Sequence, residues 1–377
     1  MHILFLVSSM HGGGAERVAA TLANAWVRAG VEVTLVCCFS GRGTCAYPLD
    51  GKVRLLWLAD RVAGPRVLRP LVKLWVLRAL VREASPDRVL SFLTNVNITA
   101  LLATWGLGLP VVVSERTDPA HSLNLEPALR VMRRLTYPHA HRVVVQTRQA
   151  MASLRQVAPG VRRLVAIPNP LPPDLPAARL GESTTTGRRC LVALGRFSPV
   201  KRFDHLIEVF AGLAASHPDW DLVIWGEGPQ RAGCQDRLSG LGLGDRIRLP
   251  GRNAAPWDAL LDAHAFVLSS AVEGFPNAML EAMALGLPCV ATDCPSGPRE
   301  LSRDGLDAIL VPVADDQALA AALHRMMSAS PQWRVDLGLR AAASVRARYC
   351  LDSILRQWEA AWSNGVGSLE GNVHEPD

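Results

Sequence analysis

Short apolar runs alternate along the chain with longer segments in which apolar residues recur every three or four positions. In the first half the runs fall at 3–8, 31–37, 53–58, 88–92, 111–114, 142–146 and 164–167. Runs of that length, bounded by Gly, Pro and Asn, predict buried strands. The segments 15–29 and 70–84 carry the helical period instead. The second half repeats the scheme, with runs at 190–194, 221–225, 246–249, 265–269, 289–292 and 308–311. Helices are expected there from Phe203, Gln230, Pro256, Asn277, Gln317 and Trp333. Continuous apolar strands joined by helical crossovers predict parallel sheets with helices on both faces.

Between the halves, residues 166–189 read AIPNPLPPDLPAARLGESTTTGRR. Proline at that density opposes both helix and sheet ladder and predicts an extended linker. The expected organisation is α/β, with two Rossmann-like, doubly wound domains at 1–168 and 189–350 joined by a linker at 169–188. A helix at 351–363 is open to packing back on the first domain, and 364–377 reads as a tail. Two such sheets facing one another leave a cleft at their strand carboxyl ends, where ligands bind.

Composition narrows this little. The chain has 377 residues, 49% hydrophobic and 20% charged, enough for two cores, and a net charge of +6 that permits anionic partners without naming one. With 3 Tyr, 8 Phe and no arginine-rich arm, a nucleic-acid platform is not expected. The 8 cysteines form no C-x-x-C pair and no zinc spacing, and read as reduced, mostly buried cytosolic thiols. The opening MHILFLVSSM lacks a basic leader and a small-residue cleavage site, so it reads as a first strand, not a signal peptide. Residues 89–114 are uncharged over a membrane-spanning length, but Asn95, Asn97, Gly106, Gly108 and Pro110 split them into strand, helix and strand. The NIT sequon at Asn97 is then a chance match.

Candidate chemistry sits where predicted strands end. The first strand runs into Gly12, Gly13 and Gly14 and emerges as a helix, a turn that lets backbone approach a phosphate. A dinucleotide turn would have a third Gly where Arg17 stands, and an acid at the end of the next strand, which closes in cysteines instead. A nucleotide phosphate, another ligand, or a tight turn that binds nothing remain open. In the second half, LGRFSPVKRFD brings Arg196 and Lys201 to a strand end. Two cations there suit a diphosphate, and read equally as solvated surface charges. WGEGPQ (225–230) is another strand-end Gly turn, able to let Gly226, Glu227 and Gly228 approach a flat base. In EGFPNAMLEAMALGLP, Glu273 lies in a loop and Glu281 on the helix that follows, an E-x7-E spacing. A loop carboxylate can accept two sugar hydroxyls and one on the helix can hold a ribose diol. The backbone N–H groups near Phe275 and Asn277 are placed to meet a phosphate. The bland alternative is a loop acid and an exposed helix residue.

Taken in order, GGGAERV, IPNP, GRFSPVKRFD, GEGP, EGFPNAMLEAMALGLP and PSGPRE cover most of the chain. In that order they resemble the retaining glycosyltransferases of family 4, which have the two-domain GT-B fold, and within them the branch that assembles bacterial surface polysaccharides. The resemblance implies that Arg196 and Lys201 clamp the donor diphosphate and that Glu281 holds the ribose hydroxyls. It implies that Glu273 contacts the transferred sugar and stabilises its developing positive charge, while Gly226 to Gly228 line the base. Phe275 and Asn277 join the donor site, with Gly13 and Gly14 across the cleft by the diphosphate and acceptor. Many members carry a His after the fifth strand, where this chain has VVVSERTDP with Arg116 in that place. Arg stays protonated and cannot act as a base, so Arg116 is expected to bind acceptor anion, with Glu115 as the alternative group on the acceptor side.

The resemblance also implies a nucleotide-sugar donor, a UDP-sugar favoured, and a polyprenyl-diphosphate-linked saccharide as acceptor, in lipopolysaccharide, capsule or exopolysaccharide synthesis. No cofactor and no metal are expected. The DWD at 219–221 matches the D-x-D of metal-dependent transferases of the other main fold, but it precedes a strand, at the end away from the cleft. The basic, apolar segment 66–84 places Lys73, Arg78 and Arg82 among Leu71, Leu74, Trp75 and Leu77, which suits a helix lying on a membrane surface or one packed on the sheet. The first reading makes this a cytoplasmic protein reversibly attached to the inner face of the inner membrane. A nucleotide-sugar epimerase of the same architecture, or a non-catalytic nucleotide-sugar-binding scaffold, are the competing functions.

Overall fold

The structure is a computed structural model that describes residues 1–43, 45–62, 68–121, 125–181, 187–253 and 255–362. Parts of the linker (182–186), Arg66 and Val67 of the basic segment, and everything after Trp362 lie outside the described residues. The chain divides into two compact units, Met1–Asn169 together with the chain from Asp352 on, and Pro170–Leu351.

The first unit is built on seven strands: β1 (His2–Val7), β2 (Glu32–Cys37), β3 (Arg54–Trp57), β4 (Arg88–Phe92), β5 (Val111–Ser114), β6 (Arg142–Val145) and β7 (Leu164–Ala166). They pair in parallel in the order β3-β2-β1-β4-β5-β6-β7. Side chains of one strand feed two cores: Ile3, Phe5 and Val7 of β1 enter one, Leu4 and Leu6 the other. That two-residue period with no polar face is why the runs read as continuously apolar. The helix Leu351–Trp362 belongs to this unit, with Ile354, Trp358, Ala361 and Trp362 buried in the core that β1 and β4 also line. Its i, i+4, i+7, i+8 spacing makes the apolar stripe, and a large aliphatic side chain such as Ile354 contributes about 1.5–3 kcal/mol when fully buried.

The second unit has β8 (Arg189–Leu194), β9 (Trp220–Trp225), β10 (Ile247–Gly251), β11 (Ala265–Leu268), β12 (Cys289–Thr292) and β13 (Ile309–Val311). Their order, again all parallel, is β10-β9-β8-β11-β12-β13. Leu191 and Ala193 face one core and Val192 the other. In each sheet the order reverses once, between β1 and β4 and between β8 and β11. Loops that leave the carboxyl ends of such a pair splay apart and make room for a ligand.

Residues 89–114 form β4, the helix Thr94–Thr104 and β5, and no helix among the described residues is long and apolar enough to cross a membrane. Asn97 is fully buried, donating to the Ser114 carbonyl and the Tyr137 hydroxyl at 2.9 Å each, so its sequon is inside the unit.

Candidate active site

The loops after β8 and β11 meet at the reversal point of the second sheet. Lys201 ends a short turn, Pro199–Lys201, and its Nζ lies 2.5 Å from Glu273 Oε1, with only 18% and 11% of the two side chains exposed. Ser270 Oγ donates to the same oxygen at 2.7 Å. The backbone fixes the pair from both sides. Ala271 N donates to the Val200 carbonyl and Ser269 Oγ to that of Lys201, each at 2.7 Å. Glu273 N donates to the Pro295 carbonyl at 2.6 Å, and Ser296 N returns to the Glu273 carbonyl at 2.9 Å, so the loop after β12 (PSGPRE) is the third wall. Arg196, on the Lys201 loop, is exposed, and its guanidinium has no partner among the described residues. The arrangement offers a neutralised, half-buried cation in Lys201, an exposed cation in Arg196 and a carboxylate held in a fixed position. Such a set suits a ligand that carries both phosphate and hydroxyl groups.

Glu281 is buried, which removes the reading of it as an exposed helix residue. Its Oε2 accepts from the indole N–H of Trp257 at 2.9 Å. Trp257 lies on the helix Pro256–Leu261 after β10, and it escaped the sequence analysis because no local pattern links it to a residue 24 positions on. Gly226 and Gly228 adopt φ of +143° and +155°. A Cβ at Gly226 would stand 1.8 Å from the Gly195 carbonyl oxygen, and one at Gly228 2.3 Å from that of Phe197. These glycines are therefore required where the loops after β8 and β9 cross, whether or not a base lies on them. Glu227 between them is half exposed, 3.7 Å from Arg231. Phe275 is buried edge-on to Tyr349, ring centroids 5.7 Å apart. The Asn277 N–H is bonded to the Phe275 carbonyl at 2.9 Å, which corrects the expectation that it is free for a phosphate.

In the first unit the Gly turn after β1 is less open to an anion than its sequence suggests. Gly12 takes φ +123°, the conformation that needs Gly. The Gly13 amide donates to the Tyr47 hydroxyl at 3.2 Å, and that hydroxyl donates to the Gly13 carbonyl at 3.0 Å. Glu16, which accepts from Ser9 Oγ, crowds Gly13 so closely that a Cβ there would meet its Oε2 at 2.2 Å. The positive end of the helix Gly14–Arg28 is thus partly met by the chain's own acid, while Gly14 stays exposed.

Glu115 and Arg116, expected on the acceptor side, are both buried and engaged by neighbouring side chains. Glu115 is 1% exposed and accepts from Tyr137 at 2.6 Å and Thr94 at 2.7 Å, with Arg133 at 3.8 Å. Burial pushes its carboxyl above the usual range, against the pull of Arg133 and the two donors. Arg116 is buried over the Phe92 ring, 4.1 Å from its centroid, and donates to the Asn169 side chain and to Ser114 Oγ at 3.4 Å. Burial pushes it down to about 9, still protonated at neutral pH. Both residues sit inside the first unit, holding Tyr137 and the Asn of IPNP.

Asp219 and Asp221 are committed to arginines at the strand amino ends. Arg189 pairs with Asp219, while Arg188 at 2.6 Å and Arg246 at 3.2 Å pair with Asp221. Among the described residues no group of His, Cys, Asp and Glu is placed to hold a metal ion. All 8 cysteines are free, and burial holds the Cys294 thiol, beside Glu273, up to about 12.

Sequence comparison finds two family profiles. The profile described as "Glycosyl transferase 4-like domain" matches residues 13–170, and "Glycosyl transferases group 1" matches residues 181–343. An exopolysaccharide phosphotransferase of Streptomyces coelicolor is 38% identical over 57% of this chain, but the match spans only 22% of that protein. An α-1,4-N-acetyl-D-galactosaminyltransferase of Campylobacter jejuni, named for an undecaprenol-diphosphate-linked acceptor, is 25% identical over 87% of this chain and 89% of its own. Among solved structures, Anabaena HepE in complex with UDP-glucose superposes with a TM-score of 0.80 at 20% identity, covering 96% of this chain and 98% of that one. The two profiles together take in most of both units, each with the strand order just described, and on that evidence the chain belongs to the glycosyltransferases of the two-domain GT-B fold.

Proposed function

We propose that this protein transfers a sugar, with retention of its anomeric configuration and without a metal ion, from a nucleotide-sugar donor to a polyprenyl-diphosphate-linked saccharide in surface-polysaccharide assembly. A UDP-sugar is the favoured donor. The observation that carries the reading is the Lys201–Glu273 pair at the reversal point of the second sheet, with Arg196 exposed on the same loop. An incoming diphosphate takes the two cations, which leaves Glu273 oxygens to accept hydroxyls of the transferred sugar. As the bond to the leaving diphosphate breaks, Arg196 and Lys201 hold the developing negative charge and Glu273 faces the positive charge on the sugar. The buried Glu281 carboxylate, oriented by Trp257, accepts the ribose hydroxyls.

The acceptor class is supported by the C. jejuni relative, and the UDP preference by the UDP-glucose complex of HepE. Attachment to a membrane face is supported by the helix Arg69–Ala84, where Leu71 and Trp75 are 59% and 72% exposed. The test is incubation of the purified chain with radiolabelled nucleotide sugars and a lipid extract, followed by NMR of the product linkage. Label moved to lipid with the donor's anomeric configuration is the expected result. Interconversion of the donor without an acceptor would replace this reading with an epimerase, and an inverted linkage would remove the retaining mechanism.

A further inference from the structure

A concavity of about 1010 Å³ in the first unit opens not at the strand carboxyl ends but at the amino ends. Its walls are the segments that lead into β4, β5, β6 and β7, and they bring together Arg88, His139, His141, Arg162 and Arg163. Among the described residues Asp87 is the only carboxylate on the lining, and it accepts from the His2 amide at 2.6 Å. Three arginines therefore outnumber one exposed carboxylate. The positive field is felt inside the wall: burial first, and then Arg163, Arg142 and Arg88, push the His141 imidazole below its usual range. Two lining residues carry buried nitrogens with no hydrogen-bond partner among the described residues, His141 Nε2 and Trp362 Nε1. Arg88 is held over the Trp362 ring and donates to its carbonyl, so this corner is built and not a loose surface charge.

Arg162 and Arg163 are exposed at the mouth and Arg88 is half-buried beside them, so the concavity gathers like charges that repel one another and attract an anion. Nothing in the donor chemistry of the second unit uses these residues. We propose that the cavity is a second anion site, distinct from the donor loops, that takes a ligand carrying a diphosphate or two closely spaced phosphates. The arginines fork onto the phosphate oxygens, and the charge of the anion is felt at the adjoining His141 and Trp362 rings. Such phosphates reach a protein either as a free phosphorylated metabolite or as the headgroup of an anionic lipid.

The test uses pyrophosphate as the probe and calorimetry on the full chain carrying Arg196→Ala and Lys201→Ala, so that the donor loops do not contribute. Pyrophosphate is expected to bind this protein, and Arg162→Gln with Arg163→Gln is expected to weaken that binding about tenfold or more. In the protein with Arg162 and Arg163 intact, the ring signals of His141 and the indole N–H of Trp362 are expected to shift on the same titration, a readout independent of whether the glutamine variant folds. Vesicles of phosphatidylglycerol in phosphatidylcholine separate the sources. Vesicle binding that pyrophosphate displaces and the glutamine pair lowers assigns a lipid headgroup, and vesicle binding untouched by the pair assigns a free metabolite. Absence of pyrophosphate binding, or binding that ignores Arg162 and Arg163 and leaves His141 and Trp362 unmoved, overturns the site. Because the readout is binding in a donor-site variant, that failure leaves the transferase reading standing.

Discussion

Lys201 Nζ lies 2.5 Å from Glu273 Oε1 across 72 residues of sequence, and the two come from the loops of neighbouring strands where the sheet order reverses. The amine is therefore held in one place before any diphosphate arrives. Lys201→Ala should lower kcat/KM at least tenfold, since one charge-assisted contact on a desolvated phosphate is worth about 1.5–3 kcal/mol. Lys201→Arg should restore only part of it, because a planar fork does not fit a seat shaped for an ammonium. Steady-state kinetics beside a thermal melt check this. Wild-type kinetics in both Lys201→Ala and Arg196→Ala would remove the diphosphate clamp.

Gly226 makes the sharpest packing prediction. With φ +143° and the Gly195 carbonyl oxygen 1.8 Å from where a Cβ would be, Gly226→Ala meets both backbone strain and a backbone clash. Strain alone costs about 1–3 kcal/mol. The variant should melt well below the parent and lose donor affinity together with stability. A soluble Gly226→Ala protein with an unchanged melt would show that the crossing of the loops after β8 and β9 is looser than described.

The parallel sheets were legible because both faces of the inner strands, such as β1, β4 and β5, are buried, so those runs are apolar almost throughout. Cys190–Leu194 and Val111–Ser114 needed no knowledge of their neighbours. The site was half legible. Arg196, Lys201 and Glu273 announce themselves as charged residues at strand ends, but Trp257 and the bond between Asn277 N–H and the Phe275 carbonyl depend on packing that no local pattern encodes. The partners of Glu115 and Arg116 were hidden for the same reason. A charged pair after β5 looks like chemistry, and only the fold reveals that Tyr137, Thr94 and Asn169 consume it.

Glu115 gives a pH dependence of known sign. Its folded pKa is raised, chiefly by burial, so its contribution to stability is fully present below the ordinary carboxylate range. That contribution is lost as pH rises through the raised value. Urea unfolding at several pH values should show the wild type gaining on Glu115→Gln as pH falls from neutral toward 4, the ordinary range being about 4.3. A difference that stays constant across that window would mean Glu115 is ionised as readily folded as unfolded.

Asp221 separates structure from metal chemistry. It serves Arg188 and the largely buried Arg246, so Asp221→Ala should cost about 1–3 kcal/mol in unfolding free energy. The proposed reaction should proceed equally with EDTA or Mg²⁺, in the wild type and in any folded Asp219→Asn protein. Activity that EDTA abolishes and Mg²⁺ restores would contradict the metal-free mechanism.

The membrane prediction rests on Leu71 and Trp75, both exposed, while Leu74 is half-buried. The basic residues of the same helix do different things. Lys73 sits 3.8 Å from the centroid of the Phe39 ring, and Arg78 donates to the Ala103 and Trp105 carbonyls at 2.9 and 2.7 Å, closing the end of the helix Thr94–Thr104. Charge reversal at Arg78 should therefore destabilise the first unit and is a poor probe of lipid contact. Trp75→Asp and Leu71→Asp leave the core alone and should each weaken binding to anionic vesicles about tenfold, since burying such a side chain is worth about 1.5–3 kcal/mol. Raised salt should weaken it further, by about 1 kcal/mol for each basic side chain near the surface. Vesicle flotation measures both. If neither substitution nor salt changes flotation, the helix Arg69–Ala84 does not lie on lipid, and the acceptor must be presented some other way.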